Sequence, residues 1–337
     1  VAAVPGAGAT LPGDLPGCPR VDLRAGRLVD PATCATVDLA RGGGAPRVRG
    51  LGLGLAVAAL AACTAPEIPG QGSSDVTLEL AGRADAPLMI VLHGPEGQAA
   101  RLRRLAAFGL GAEGWTIAWP DARGRGWMDP ASDEAGRLGD LAARLAAARL
   151  VDPDRVVVAG FSDGGQLALR LACERPELVA GVAAVMASLP EGAPCPDGVP
   201  VPVLMMQATT DPILPFDGGT VARPGVPEAG AIRLAGPVLA AGETAAILAH
   251  RNGCGAARTV EVPDLFPDDG ARVAQRVYEG CRAPTVQVVI EGGGHAWPGT
   301  RLSAAVEAVL GAPVRDISAT LEIEAFAREA VAGRRGG

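Results

Sequence analysis

The sequence predicts an alternating α/β domain with a mainly parallel, twisted sheet and helices on both faces. Residues 88–92 form a continuous apolar run, as expected for a strand that is buried on both faces. Residues 155–159 form a second such strand, and residues 133–150 between them place leucines at helical spacing. Strands that alternate with helices favour parallel pairing through right-handed crossovers.

The other elements continue this alternation. The further predicted strands are residues 76–80, 115–119, 201–206 and 286–290, and the further predicted helices are residues 99–108, 164–173 and 318–331. Because the carboxyl ends of parallel strands meet at one edge of a sheet, reactive side chains collect there. The residues that closely follow predicted strands are His93, Ser162, Asp211 and His295.

Length and charge set the broad class of the protein. A chain of 337 residues, 48% of them hydrophobic, can bury the core of one large α/β domain or of two ordinary ones. Its formal net charge of −7 argues against a nucleic-acid partner, which usually meets a basic surface.

The N-terminal region is predicted to carry an export signal. Residues 51–62 form an apolar run that follows two arginines and is too short to span a bilayer, but it suits the core of a signal peptide. The run ends at Cys63, and the pattern resembles a bacterial lipoprotein signal, whose cysteine is lipidated. The alternative is a buried helix that ends in a cysteine.

This resemblance predicts the organisation of the chain. Residues 47–63 are the signal, 64–74 a Gly- and Pro-rich tether, and 75–337 the catalytic domain. Residues 1–46 are predicted to be disordered, or to lie upstream of a translation start near residue 48. We expect an exported protein, in the cell envelope or outside the cell, that is attached to the membrane by a lipid on Cys63.

Cysteine usage agrees with export. If Cys63 is lipidated and becomes the mature N-terminus, the mature chain retains Cys173, Cys195, Cys254 and Cys281, and four cysteines allow three pairings. Exported proteins can keep disulfides. We favour Cys254 with Cys281 and Cys173 with Cys195, with four free thiols as the alternative.

A nucleophile is predicted in the motif Gly160-Phe161-Ser162-Asp163-Gly164. In a chain with 47 glycines the motif alone is weak evidence, but a predicted strand precedes it and a predicted helix follows it. The two glycines permit a tight strand-to-helix turn that exposes the hydroxyl of Ser162. The alternative is a glycine-rich loop with an idle serine.

A serine hydroxyl needs a base to become a nucleophile, and the chain has three histidines. His250 falls within a predicted helix, where a surface or packing role is expected. His93 ends a strand, where histidine usually shapes the loop. His295 follows three glycines after a late strand, and we expect it to be the base.

The acid that orients the base should lie between serine and histidine in chain order. Asp211 follows the predicted strand 201–206 closely and is the favoured candidate. Asp217 and Asp264 are competitors that we expect to be solvated loop carboxylates. Asp316 comes after His295 and is in the wrong order.

Several spaced motifs occur in one order along residues 75–333. They are Val91-Leu92-His93-Gly94, Trp119-Pro120-Asp121, Gly124-Arg125-Gly126-Trp127, residues 151–156, Thr210-Asp211-Pro212, Asn252-Gly253-Cys254, Gly292-Gly293-Gly294-His295 and Trp297-Pro298-Gly299. In this order they resemble a group of α/β-hydrolases, the polyhydroxybutyrate-depolymerase and feruloyl-esterase-like bacterial esterases, which includes exported lipoproteins.

The resemblance implies a serine esterase of the α/β-hydrolase fold in which Ser162, His295 and Asp211 form a triad. It implies no metal and no organic cofactor, and an ester substrate that can be polymeric: a polyhydroxyalkanoate, a feruloylated or acetylated polysaccharide, or a small ester. It also supports the pairing of Cys254 with Cys281.

The oxyanion hole is where the sequence departs from this pattern. One N–H is expected from Asp163, whose carboxylate we expect to face solvent, and the other from the loop after His93-Gly94. Pro95 has no N–H, so Glu96 or Gly97 must supply the second donor.

Trp127 and Trp297 are predicted to line the substrate pocket, with packing beneath the site loops as the alternative.

The sequence leaves two other functions open. One is a serine peptidase of the prolyl-oligopeptidase type, although its usual extra domain does not fit this length. The other is a non-catalytic envelope lipoprotein that binds a ligand on a hydrolase fold.

Overall fold

The chain divides into two compact units, Val1–Thr64 and Ala65–Gly337. The computed structural model describes residues 20–22, 27–29, 36–38, 75–94, 99–222 and 236–334. Several predicted features lie outside the described residues and stay predictions: the signal with Cys63, the tether 64–74, and Pro95, Glu96 and Gly97 of the loop after His93.

The first unit contains three short strands among its described residues. These are β1 (Arg20–Asp22), β2 (Arg27–Val29) and β3 (Thr36–Asp38), paired antiparallel in that order. That residues 1–46 are disordered, or lie upstream of the translation start, stays a prediction.

The second unit is built around one large sheet. The strands described in this unit are β4 (Val76–Glu79), β5 (Ala86–Leu92), β6 (Thr116–Pro120), β7 (Val151–Phe161), β8 (Gly181–Val185), β9 (Val203–Ala208), β10 (Gly219–Thr220), β11 (Pro237–Val238), β12 (Ala257–Glu261), β13 (Arg272–Tyr278) and β14 (Thr285–Glu291). Within the described residues, β10 and β11 form a separate antiparallel pair, and the other nine have the spatial order β12-β13-β14-β9-β8-β7-β5-β6-β4. The six from β14 to β6 are parallel, whereas β4, β12 and β13 pair antiparallel at the edges.

The predicted strands are all present, and their bounds differ from the prediction by a few residues. β8 was not predicted, because its residues Gly-Val-Ala-Ala-Val are small and show neither alternation nor a bulky apolar run. β12 and β13 were not predicted either, because both mix charged, polar and apolar residues without a continuous apolar run or a strict alternation.

Helices cover both faces of the sheet. Those in the described residues are α1 (Ala99–Ala106), α2 (Glu134–Ala147), α3 (Asp163–Glu174), α4 (Ala241–Arg251), α5 (Ala304–Leu310) and α6 (Ala319–Arg334). Leu88 and Ile90 of β5 belong to one buried apolar cluster with α2 and α3, whereas Met89 and Val91 belong to another with α1 and α6. Alternate residues of the strand therefore face two cores, which explains its continuous apolar run. None of these helices has the length and apolarity needed to cross a bilayer.

Both favoured disulfides are present. Cys173, near the end of α3, is bonded to Cys195, and Cys254, just after α4, is bonded to Cys281 between β13 and β14. The bonds join residues 22 and 27 positions apart. A disulfide that closes a loop of that length stabilises the folded state by about 3 kcal/mol, mainly because it restricts the unfolded chain.

Asn252 joins the end of α4 to the sheet. Its side-chain oxygen accepts a hydrogen bond from Val201 N at 3.0 Å, and its amide nitrogen donates to Val201 O at 2.7 Å and to Thr285 Oγ1 at 2.8 Å. Because Asn252 is buried, water cannot replace these bonds.

The substitution Asn252→Ala is expected to destabilise the fold because it leaves Val201 N–H and C=O without partners. Each buried group left unsatisfied costs roughly 1–3 kcal/mol, so we expect a loss of about 3 kcal/mol in the free energy of unfolding, measured by urea titration. Gln275→Ala is the matched control. It removes an amide that makes a 3.5 Å contact with Glu322, and it should cost less than about 1 kcal/mol. Equal costs for the two variants would contradict this account of Asn252.

Candidate active site

Ser162 lies on a sharp turn between β7 and α3. The strand ends at Phe161 and the helix begins at Asp163, so one residue makes the transition. Ser162 has φ 55° and ψ −122°, a strained conformation that persists only where the surroundings impose it. Two backbone hydrogen bonds do so: Ser162 N donates to Val185 O, and Ser162 O accepts from Gln166 N, each at 2.9 Å.

The glycines on either side of Ser162 are required by close backbone contacts. A Cβ on Gly160 would lie 2.2 Å from the carbonyl carbon and oxygen of Gly164. A Cβ on Gly164 would lie 2.6 Å from the carbonyl oxygens of Leu92 and His93. Since these neighbours are backbone atoms, they cannot rotate away, and the turn forms only with glycine at both positions.

The hydroxyl of Ser162 is hydrogen-bonded to His295, which in turn is hydrogen-bonded to Asp211. Ser162 Oγ lies 3.0 Å from His295 Nε2, and His295 Nδ1 lies 2.7 Å from Asp211 Oδ2. All three side chains are buried. An ionised carboxylate only accepts, so Nδ1 carries the proton and Nε2 is the acceptor for the hydroxyl. This arrangement allows the imidazole to take the proton of the serine.

Asp211 is held by the turn that follows β9. Its Oδ1 accepts hydrogen bonds from the N–H groups of Ile213 at 2.8 Å and Leu214 at 2.9 Å, while its Oδ2 faces His295. The competing carboxylates Asp217 and Asp264 are exposed, as expected. No group of three or more His, Cys, Asp or Glu side chains in the described residues is arranged to hold a metal ion.

His295 is supported by a loop-to-loop contact that the sequence analysis did not foresee. His295 N donates to Leu310 O at 2.6 Å, and Gly294 N donates to Ala312 O at 2.9 Å. A Cβ on Gly294 would lie 2.1 Å from Leu310 O, so the glycine permits this approach. The helix α5, which is absent from the predicted elements, thus anchors the loop that carries the imidazole.

The two other histidines are placed away from proton transfer. The side chain of His250 is 82% exposed on α4. His93 is buried; its Nδ1 donates to Gly94 O at 2.6 Å, and its Nε2 accepts from Ala122 N at 3.1 Å. Both ring nitrogens of His93 therefore bind backbone, and the residue shapes the loop after β5.

Trp127 and Trp297 are both buried, which favours the alternative of packing beneath the site loops over a place in the wall of the substrate pocket. Trp127 is 1% exposed; its Nε1 donates to His93 O at 2.8 Å and its ring lies 5.1 Å from the ring of His93. Trp297 is 2% exposed, and its Nε1 donates to Thr320 Oγ1 at 3.1 Å. Each indole uses its polar atom to fasten one segment to another, which only the folded chain could reveal.

The expectation that the carboxylate of Asp163 faces solvent is wrong. The residue is 4% exposed, and its Oδ2 lies 4.0 Å from the position that a Cβ on Gly126 would take. Asp163 is the first residue of α3, where the helix dipole favours a negative charge and makes such burial tolerable. Of the predicted oxyanion donors, Asp163 thus lies beside Ser162, while Glu96 and Gly97 fall outside the described residues.

Gly94 and Phe161 complete the surroundings of Ser162. A Cβ on Gly94 would lie 3.4 Å from Ser162 Cβ and 3.1 Å from Phe161 Cδ1. The ring of Phe161 lies 5.0 Å from that of His295. The sequence does not single out Phe161, because its position in the serine motif carries no chemical signal of its own.

Comparisons with known proteins place the chain among esterases. A model of the alpha/beta hydrolase fold matches residues 87–200. A Nocardia uniformis subsp. tsuyamanensis protein named "Putative esterase NocK" is 33% identical over 251 residues, which cover 69% of this chain and 71% of that protein.

Two more distant similarities concern Aspergillus proteins. "Probable feruloyl esterase C" of Aspergillus flavus is 26% identical over 180 residues, 53% of this chain and 56% of that protein, so the match spans little more than half of its length. The solved structure of an acetyl xylan esterase from Aspergillus awamori superposes with a TM-score of 0.46 at 11% identity, covering 65% of this chain and 89% of that one.

The substitution Gly160→Ala is expected to disrupt the turn at Ser162, because its methyl group would overlap the backbone of Gly164. Overpacking of this kind typically costs about 3 kcal/mol, measured as a loss in the free energy of unfolding. Gly242→Ala in the first turn of α4 is the control, since a Cβ there has no neighbour within 4 Å and alanine favours helix. If both variants are as stable as the wild type, the backbone contact does not require glycine.

Proposed function

The chain belongs to the α/β-hydrolase family, and we propose that it hydrolyses carboxylic esters with Ser162 as the nucleophile, His295 as the base and Asp211 as the orienting acid. The family resemblance and the fold predicted from the sequence are confirmed by the match to that family and by the NocK relative. The observation that carries the proposal is the buried hydrogen-bonded series from Ser162 through His295 to Asp211.

The proposed cycle follows from this geometry. Ser162 Oγ attacks the ester carbonyl carbon while its proton passes to His295 Nε2, and the carboxylate of Asp211 stabilises the imidazolium that forms. The tetrahedral intermediate then collapses; the carbon–oxygen bond to the alcohol breaks, and Nε2 returns the proton to the leaving alcohol. Water attacks the acyl-enzyme by the same route and releases the acid and the free serine.

The oxyanion of the intermediate needs two N–H donors. The position of Asp163 at the N-terminus of α3, directly after Ser162, supports its backbone N–H as one donor. For the second we propose Glu96 or Gly97, because Gly94 approaches Ser162 closely and Pro95 has no N–H. An enzyme that lacked this second donor would lose about a hundred- to a thousandfold in rate.

For the substrate we propose esters of the kinds named by the resemblance: feruloylated or acetylated polysaccharides, polyhydroxyalkanoates, and small esters. The relative "Probable feruloyl esterase C" supports the first of these. A panel of methyl ferulate, acetylated xylan, poly(3-hydroxybutyrate) and p-nitrophenyl esters, tested on one preparation, ranks them by kcat/KM.

The substitution Ser162→Ala is expected to abolish ester hydrolysis because it removes the nucleophile. Turnover of p-nitrophenyl acetate and butyrate should fall by at least about a thousandfold. Ser188→Ala is the control, since Ser188 is also buried and its hydroxyl has no hydrogen-bond partner in the described part of the chain. It should turn over both esters like the wild type. Hydrolysis of an aminoacyl-nitroanilide but of neither ester would instead indicate a peptidase.

We further propose that the protein is exported and carries a lipid on Cys63. The apolar run at residues 51–62 that ends at this cysteine supports the proposal. So do the two disulfides, which persist in oxidising compartments and are rare in the cytosol.

The substitution Cys63→Ser is expected to block lipidation and the cleavage that accompanies it. In the bacterial host, intact mass should show a wild-type chain that begins at Cys63 and carries acyl groups, and a variant that keeps the preceding residues. Cys34→Ser, which changes a cysteine outside the lipoprotein signal, should mature like the wild type. A wild-type chain that retains residues 1–62 without acyl groups would contradict the proposed anchor.

A further inference from the structure

Phe161 contacts the two segments that flank Ser162. Its ring centroid lies 5.0 Å from that of His295 with a tilt of 47°, within the range of aromatic contact. On the side of Gly94, its Cδ1 lies 3.1 Å from the position that a Cβ would take. The ring of Phe161 therefore sets the spacing between the loop of the proposed base and the end of β5.

Phe161 is itself held by aromatic packing. Aromatic residues make up only 3% of the chain, yet several form a continuous row that leads to His295. The row runs in the order Trp119, Phe108, Trp297, Phe161 and His295. The centroids of successive rings are 5.9, 6.3, 6.2 and 5.0 Å apart. Among the rings of this row, Phe161 is the one that contacts His295.

The hydrogen bonds of His295 do not by themselves fix its ring. Imidazole nitrogens form hydrogen bonds in the plane of the ring, so the bonds to Asp211 and Ser162 oppose displacement within that plane. They resist less strongly a rotation of the ring about the line that joins the two bonded nitrogens. The loop before His295 consists of three glycines, whose backbone is intrinsically permissive. A side chain packed against the ring opposes that rotation.

We propose that Phe161 is a positioning residue, which holds the imidazole of His295 in line with Ser162 and Asp211. The inference rests on the proposed function for its kinetic consequence. Phe161 acts through His295 and takes no part in bond making. Misplacement of a catalytic group by about 1 Å can cost a hundredfold in rate, so this packing contributes to the chemical step.

The kinetic test compares Phe161→Ala, Phe161→Leu and Phe161→Tyr with p-nitrophenyl butyrate as substrate. Phe161→Ala is expected to lower kcat by about 10- to 100-fold with KM nearly unchanged. Phe161→Tyr keeps the ring and should restore most of kcat, whereas Phe161→Leu keeps apolar volume without the ring and should be intermediate. If Phe161→Ala fails to fold, the comparison of Leu with Tyr decides the question.

Phe108→Leu is the matched control. It removes a ring from the same row but not one that contacts His295, so it should lower the melting temperature and leave kcat unchanged. An equal loss of kcat in Phe108→Leu and Phe161→Leu would mean that general destabilisation is the cause. A raised KM at unchanged kcat would make Phe161 a wall of the substrate site. Either result overturns the proposal.

A second measurement separates this inference from the proposed function. The Nδ1 proton of His295, shared with Asp211, should resonate far downfield in the proton NMR spectrum of the wild type and of Phe108→Leu. In Phe161→Ala it should broaden through faster exchange with solvent. If the wild type hydrolyses no ester, the proposed function fails and this resonance still tests the packing. Its absence from the wild type, or an equal exchange rate in Phe161→Ala, overturns the positioning role.

Discussion

The backbones of β7 and α3 approach each other at Gly160 and Gly164 so closely that neither position can carry a side chain. This contact forces the chain to reverse within one residue, and Ser162 takes up the resulting strain at φ 55°. The same approach packs Gly164 against the carbonyl oxygens at the end of β5, so the turn and the neighbouring strand end are built together. The proposed nucleophile lies at the junction of β7 and α3 because the backbone leaves it no other position.

The rest of the site is assembled from loops that hold one another. Asp211 is fastened by the N–H groups of its own turn, His295 by the carbonyl of Leu310, and His93 by the backbone on both sides of its ring. These contacts are directional hydrogen bonds rather than apolar packing, so they position side chains more narrowly than a core alone could. The buried indoles of Trp127 and Trp297 add rigidity from beneath.

Much of this arrangement could be predicted from the sequence. The apolar runs predicted β5, β7 and their parallel neighbours, and the order of Ser162, Asp211 and His295 predicted which side chains would meet. The elements that escaped prediction have an identifiable cause. The small residues of β8 show no period, β12 and β13 mix charged, polar and apolar residues without a regular period, and α5 is a short helix with no buried residue. Asp163 was predicted to face solvent because a carboxylate beside the developing oxyanion would be unfavourable. The fold instead buries it as the first residue of α3, where the helix dipole favours a negative charge.

The sequence by itself determined the features that depend on local chemistry: strands buried on both faces, a glycine-flanked serine between a strand and a helix, and the chain order of the three polar residues. Tertiary structure alone decided which aromatic rings are buried beneath the site, that Phe161 packs against His295, and that α5 supports the loop of His295. These contacts join residues far apart in the chain. Their distances are set by how the strands are ordered in the sheet, and no local pattern of residues specifies that order.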